Sequence, residues 1–399
     1  MRKMHIGILA SHPIQYQAPL FRELARHADL KVYFSHRQTA DGQAAAGFNV
    51  SFEWDVDLLG GYDHAFLQNQ ARRPGVNSFF DCDTPAIVDE IRPGGFDAFL
   101  VMGWYLKSYW QAIRACHRYG VPVMVRGDSQ LGTPRGWLKQ LCKEIIYPLV
   151  LRQFDACLYV GQKNREYLQH YKVSPERLFF SPHCIDNKAF ALCAQKINRA
   201  QSREQSGIAP NQGSVLFVGK FLDRKRPLDL IEALRILRTR GIDVCGVFAG
   251  DGPLHHQLEA QAKACDVPAV FLGFRNQTEL PAAYAMADVM VLPSDGSETW
   301  GLVVNEALAC GTPVVVSDVV GCASDLVIEG QTGAVYPVGD VVALANALSR
   351  ALAIPRNSPL IAARADAYSV ERAAGGIIEA ASWLNDSRNA KISAQMRLK

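Results

Sequence analysis

Ten cysteines are present, yet no two stand as C-x-x-C, which excludes a metal knuckle or a dithiol redox motif. Several sit inside apolar runs, as Cys245 does in Val244–Val247, and behave there as small buried hydrophobes in a reducing compartment. No apolar run approaches the roughly 20 residues that a membrane-spanning helix needs. The short apolar stretch Ile6–Ala10 has no cleavage pattern after it, so it reads as a first buried strand and not as a secretory signal. An intracellular chain is therefore expected. Charge of one sign is also lacking: 42 Lys and Arg face 39 Asp and Glu, a net +3, which excludes a basic surface for nucleic acid. No internal repeat or low-complexity run occurs.

What is present is a globular composition, 49% hydrophobic and 20% charged, over 399 residues, long enough for two domains. Short apolar runs ending in Gly, Ser or Asp alternate with amphipathic segments. One series is Ile6–Ala10, Lys31–Phe34, Ala98–Met102, Pro122–Val125 and Ala156–Val160. A second is Val215–Val218, Val244–Ala249, Ala269–Leu272, Val289–Leu292 and Pro313–Val316. Strands covered by helices on both faces read in this continuous way, so an α/β architecture of two doubly wound, Rossmann-like domains is expected. The polar stretch Ala194–Gln212 reads as a surface connection. The expected units are 1–195, 196–368, and a C-terminal helix with a polar, frayed tail over 369–399, packing back towards the first unit.

The C-terminal half carries the densest chemistry. Val215–Val218 runs into a loop with four cations, Lys220, Arg224, Lys225 and Arg226, before a helix expected at Pro227. Cations at a strand end suit a diphosphate, although a solvated basic turn is the bland alternative. The segment Pro293–Asp318 (PSDGSETWGLVVNEALACGTPVVVSD) places Glu298 in a loop. A helix is expected from about Gly301-Leu302 to Ala309, with Glu306 inside it. Free amides at a helix start hold phosphate, and two nearby carboxylates can each accept hydrogen bonds from a diol, one on a ribose and one on a hexose. The opposing expectation has Glu298 capping the helix and Glu306 facing solvent. Glu306 interrupts the apolar stretch Leu302–Ala309, so it needs a partner, which favours the functional role.

This ordered set resembles the E-x7-E signature of the large retaining glycosyltransferase family that includes bacterial lipopolysaccharide, mannosyl and glucosyl transferases. The resemblance takes in the Gly219-Lys220 loop, Gly250–Leu254, Phe271–Phe274, Ala287-Asp288, and Glu298 through Val314. It implies the GT-B fold, two Rossmann-like domains facing a central cleft, and a nucleoside diphosphate sugar as donor substrate, with no cofactor and no metal. It implies that Glu306 binds ribose hydroxyls, Glu298 binds hexose hydroxyls, Lys225 contacts the diphosphate, Gly301 and Leu302 offer amides, and Phe274 borders the base. The family has Arg where this chain has Lys220, which keeps charge but loses bidentate geometry. Val320-Gly321 replaces a family Gly pair.

The N-terminal half is expected to take the acceptor. Ser11–Gln17 follows the first strand, and His12 and Gln15 are candidates there, an ordinary loop histidine being the equal alternative for His12. The strand Val121–Asp128 resembles the family strand that ends in a sugar-facing polar residue, often His; Asp128 holds that place, with Arg126 as its partner or as a contact for acceptor phosphate. Asp128 as a turn cap is the alternative. Ser181–Asp186 resembles the family's Pro-Asn-Gly-Val-Asp turn, with His183-Cys184 replacing Asn-Gly, and a hinge role is expected. Asp81-Cys82-Asp83 is set aside as a metal site because Asp83-Thr84-Pro85 reads as a helix N-cap. The stretch Arg135–Phe154 carries four cations and one acid, and is expected to be a core-packed helix interrupted by Pro148; a basic helix on an anionic membrane is the alternative.

Together these readings point to a retaining hexosyl transfer onto a hydroxyl of a glycan or glycolipid, catalysed with Asp128, Glu298 and Lys225. The setting expected is the cytoplasm, with peripheral contact at the inner membrane face admitted. A nucleotide-sugar epimerase and a non-catalytic sugar-nucleotide-binding partner are the rival classes.

Overall fold

A computed structural model of the chain describes residues 2–39, 52–133 and 136–397. Its first sheet holds seven parallel strands: β1 (His5–Ala10), β2 (Asp29–Phe34), β3 (Asp63–Phe66), β4 (Ala98–Val101), β5 (Val123–Gly127), β6 (Ala156–Tyr159) and β7 (Leu178–Phe180). Their order is β3-β2-β1-β4-β5-β6-β7. A second sheet holds six parallel strands: β8 (Gly213–Val218), β9 (Val244–Ala249), β10 (Ala269–Gly273), β11 (Val289–Leu292), β12 (Val314–Ser317) and β13 (Gly333–Tyr336). Its order is β10-β9-β8-β11-β12-β13. The strand order reverses beside β1 and beside β8. Doubly wound sheets open their ligand crevice at such switch points, so the loops after β1, β8 and β11 are the ones that face it.

The central strands are the ones whose apolar runs are visible in the sequence. Val289–Leu292 is fully buried, because helices cover both faces of β11. The three strands not picked out in the sequence, β3, β7 and β13, all lie at sheet edges and are only three or four residues long. Runs this short give little signal, and β3 in addition carries Asp63 and His64 at the open edge.

Several expectations are corrected. Ala194–Gln212 is not a plain surface connection. It contains the end of the helix Asn187–Gln195 and the helix Arg199–Gln205. Arg203 is buried there and donates to Ser214 Oγ at 2.9 Å, the Met286 carbonyl at 3.1 Å and Asp288 Oδ2 at 3.1 Å. An arginine with this many fixed acceptors packs like a core residue despite its charge. Asp83 caps no helix; the nearby helix is Ile87–Gly94, and Asp83 instead accepts from Lys107 Nζ at 2.5 Å and Gln111 Nε2 at 2.7 Å.

The segment expected to fray after Asn385 continues a single helix, Val370–Arg397. That helix lays Ala373, Ile377, Ala380, Ala381 and Leu384 onto the first lobe, against Phe21, Leu24 and Ile6. Ser181 Oγ donates to the Ala373 carbonyl at 2.9 Å, so the chain end closes over the lobe in which the chain begins.

The helix Trp137–Leu151 also departs from expectation: it is not core-packed on its apolar side. Lys143 and Leu151 are buried, whereas Trp137, Leu138, Leu141, Ile145, Ile146 and Leu149 are exposed. Arg135, counted with this stretch in the sequence, lies outside the described residues.

Candidate active site

The cleft between the lobes contains a cavity of about 380 Å³. Lys220, Lys225, Glu298, Gly301, Leu302, Glu306 and Phe274 all line it from the C-terminal lobe, and Gln15 lines it from the other. Seven residues drawn from three separate loops and a helix thus converge on one space.

The helix Leu302–Ala309 begins where expected, at a Gly301 held at φ 99° with no side-chain cap. A Cβ on Gly301 would sit 2.5 Å from Leu292 Cδ2, so the chain can turn from β11 into the helix here only with glycine. Gly321, the one glycine kept where the family has a pair, is also required. A Cβ there would meet the Thr299 carbonyl oxygen at 1.7 Å, and its N–H donates to the Glu298 carbonyl at 3.0 Å.

Neither carboxylate follows the bland expectation. Glu298 does not cap the helix; its side chain is ion-paired with Lys225, both largely buried, and accepts from Ser294 Oγ at 3.3 Å. Glu306 does not face solvent. It is buried at the cavity wall, and Tyr284 Oη donates to its Oε2 at 2.6 Å. Burial pushes the Glu306 carboxyl up to about 7, opposed by hydrogen bonds from Tyr284 and Gln277. Burial, and then the neighbouring Arg224 and Lys225, lower the pKa of Lys220. Lys220, Arg224 and Lys225 all line the cavity, so the basic loop after β8 is turned inwards, towards it.

On the other lobe Asp128 lies at the end of β5 but does not line this cavity. Its side chain is 46% exposed and reaches across the cleft, where Thr299 Oγ1 donates to Oδ2 at 2.7 Å. His183 Nε2 stands 3.7 Å from the same oxygen. Burial between the lobes opposes ionisation of Asp128, yet the nearby His183 and the hydrogen bond from Thr299 prevail and hold its carboxyl at about 2. It caps no turn. Arg126 neither pairs with Asp128 nor reaches the cleft: it is buried and donates to Ser181 Oγ at 3.1 Å and to the Pro182 carbonyl at 2.7 Å. A guanidinium so enclosed steadies the turn at Ser181–Asp186 and is not available to an acceptor. His12 lies outside the cavity against Ser11, 3.0 Å from its Oγ, and burial followed by the nearby His36 lowers its pKa to about 4.

Some residues were not singled out in the sequence. Tyr284, the partner of Glu306, comes from the helix Leu280–Met286, where an aromatic among alanines gives no signal of its role. Gln130 Nε2 donates to the carbonyls of Glu298 at 3.0 Å and Gly296 at 3.3 Å, joining the lobes. His183, read as a hinge residue, is packed edge-on against Tyr16 and tilted against Trp300. Phe52 and Trp54 belong to the segment between β2 and β3 of the N-terminal lobe. Phe52 contacts Phe274 with ring centroids 4.5 Å apart, and Trp54 lines the cavity. Among the described residues, no group of three His, Cys, Asp or Glu is placed to hold a metal ion.

Residues 198–366 match the family model described as glycosyl transferases group 1. The C-terminal lobe is a group 1 glycosyltransferase domain. Similar curated proteins include a D-inositol 3-phosphate glycosyltransferase of Corynebacterium glutamicum, 29% identical over 262 residues, 63% of this chain and 61% of that protein. Another is a GDP-mannose-dependent alpha-(1-6)-phosphatidylinositol monomannoside mannosyltransferase of Mycolicibacterium smegmatis, 36% identical over 168 residues, 40% of this chain and 44% of that protein. The chain spans 41–61% of the length of the first three curated relatives it matches. Among solved structures, HepE of Anabaena in complex with UDP and glucose superposes with a TM-score of 0.65 at 17% identity, covering 95% of this chain and 99% of that one. A glycosyltransferase from Rickettsia africae gives 0.69 at 14% identity, covering 96% and 99%. The group 1 glycosyltransferase domain and the lobe before it thus share the two-lobed GT-B fold over nearly their whole length. The seven C-terminal-lobe residues named above as lining the cavity all fall within the span 198–366 that the family model matches.

Proposed function

We propose that the protein transfers a hexosyl unit from a nucleoside diphosphate sugar to a hydroxyl of a glycan or glycolipid acceptor, with retention of anomeric configuration. The single observation that carries this reading is that Glu298, Glu306, Lys220, Lys225 and the amide-bearing start of the helix Leu302–Ala309 line one cavity between the lobes. Glu306 accepts from ribose hydroxyls and Glu298 from hexose hydroxyls. The two lysines and the helix start then face the diphosphate that joins the two sugars.

As the anomeric bond breaks, negative charge grows on the leaving diphosphate. Lys220 and Lys225, which line the cavity, offset it. Asp128, ionised and held at the cleft outside the cavity, acts on the reaction through Thr299, next to Glu298. Retention rests on the resemblance to the E-x7-E family. The curated relatives, named for inositol phosphate and phosphatidylinositol mannoside acceptors, support a polyol hydroxyl as acceptor. Ten unpaired cysteines suit the reducing cytoplasm as the compartment.

A thermal-shift panel of nucleotide sugars tests the donor. The true donor raises the melting temperature in a concentration-dependent way, because it binds only the folded state. Incubation of that donor with candidate acceptors, followed by NMR of the product anomer, tests transfer and retention. Absence of any nucleotide-sugar shift, or a product of inverted configuration, defeats the reading.

A further inference from the structure

The helix Trp137–Leu151 is inside out. Lys143 points inwards, its Nζ 4.5 Å from the Tyr147 ring centroid and 5.4 Å from that of Tyr167. Its large apolar residues point outwards: Trp137 is 74% exposed, Ile145 66%, and Leu138, Leu141, Ile146 and Leu149 are each at least half exposed. Leu138, Leu141, Ile145 and Leu149 follow helical spacing, so they form one continuous stripe. Single exposed leucines are ordinary, but a helix-long stripe on an otherwise well-buried fold marks a contact surface.

We propose that this stripe docks on a bilayer surface carrying anionic phospholipid, with the helix lying in the plane of the interface. Three features select this occupant. Exposed cations flank the stripe, Lys139 near one end and Arg152 at the other, while the helix's one acid, Glu144, is engaged by His170 at 2.9 Å. That pattern complements anionic headgroups. The helix has 15 residues and contains Pro148, and no helix among the described residues is long and apolar enough to cross a membrane, so it can lie on a bilayer but not span one. A second copy is the less favoured occupant. Twofold pairing of the stripe with itself would set the Lys139 end of one copy against the Arg152 end of the other, cation to cation.

The helix starts just after the loop that leaves β5 at Asp128. Docking would therefore set the bilayer beside the acceptor lobe. This last step rests on the proposed transfer reading, whereas the docking itself rests only on the surface.

The test is co-sedimentation of the full chain with phosphatidylcholine vesicles, with and without phosphatidylglycerol. The expected result is binding to the anionic vesicles that weakens with added salt. In Leu141→Glu/Ile145→Glu the partition coefficient should fall by about a hundredfold, on the order of tenfold for each large apolar side chain withdrawn from the boundary. The milder Leu141→Ser/Ile145→Ser should lie between. Melting shifts by nucleotide sugars should be unchanged in both variants, which separates a failure here from a failure of the donor reading. Wild-type protein that stays in the supernatant overturns the proposal. So does undiminished binding by both variants, or a lipid-free dimer that the substitutions convert to monomer.

Discussion

Thr299 Oγ1 donates a hydrogen bond to Asp128 Oδ2 across the cleft at 2.7 Å. The donor comes from the loop that also carries Glu298, and the acceptor from the end of β5 in the opposite lobe. One hydroxyl thus ties the acidic group of the N-terminal lobe to the loop that lines the cavity through Glu298. Thr299→Val keeps the shape and deletes this bond. A hydrogen bond to a charged group contributes about 1.5–3 kcal/mol, so turnover should fall by at least roughly tenfold while nucleotide-sugar melting shifts persist. Steady-state kinetics beside thermal shift checks this, and unchanged kcat would remove Thr299 from the mechanism.

Asp128 also sets an acid limb. Its folded-state pKa, about 2, lies below the ordinary carboxylate range. Its contribution to stability is therefore present above about pH 4 and is lost as the pH falls towards 2. Chemical denaturation of Asp128→Asn across that window should show a shallower loss of stability than the wild type.

Glu306 titrates with the opposite sign. Its folded-state pKa is raised to about 7, so its contribution to stability is complete in the acid range and is lost as the pH rises through neutrality. Donor binding needs the carboxylate to accept from both ribose hydroxyls, so affinity should climb between about pH 6 and 8. Glu306→Gln should flatten that profile. Tyr284→Phe removes a donor to the carboxylate and should move the midpoint upwards. Isothermal titration over the pH range measures all three proteins, and a wild-type affinity that does not change with pH counts against the ribose role.

Lys225 and Glu298 form a largely buried ion pair. Lys225→Met leaves Glu298 unpaired in the cavity and should cost about 3 kcal/mol of stability. The double variant Lys225→Met/Glu298→Gln removes both charges and should recover most of that stability without recovering transfer. A double-mutant cycle by chemical denaturation, run beside an activity assay, reads both quantities. If the single variant is as stable as wild type, the pair is not the ionic unit described here.

Trp54 reaches the cavity from the N-terminal lobe, next to the contact between Phe52 and Phe274. Replacing it with alanine removes a large aromatic wall, and donor affinity should weaken by roughly tenfold. Competition binding with the cognate nucleotide tests this. A loss of kcat with no change in affinity would place Trp54 on the acceptor side instead.

The sequence by itself determined the two sheets and the residues that line the cavity from the C-terminal lobe, because both are local. A buried parallel strand must be apolar along its length, so β8, β9 and β11 announce themselves. Glu298, Gly301 and Glu306 lie within nine residues of one another, and the turn and helix between them place all three. The positions of Lys220, Lys225 and Phe274 follow from the same logic, each lying at or just beyond a strand end that opens on the crevice.

Tertiary structure alone decided which groups meet. The partner of Glu306 is Tyr284, 22 positions away, and the partner of Asp128 is Thr299, 171 positions away; no periodicity links such pairs. Arg126 has the composition of an acceptor contact, yet the chain returning through Ser181-Pro182 encloses it. The helix Trp137–Leu151 has the composition of a core element, but its solvent side is apolar, because Lys143 and Tyr147 pack inwards on the aromatic group at Tyr167 and Tyr171. Periodicity shows that a helix has two faces. Which of them the rest of the molecule covers is decided by side-chain packing between segments distant in the chain.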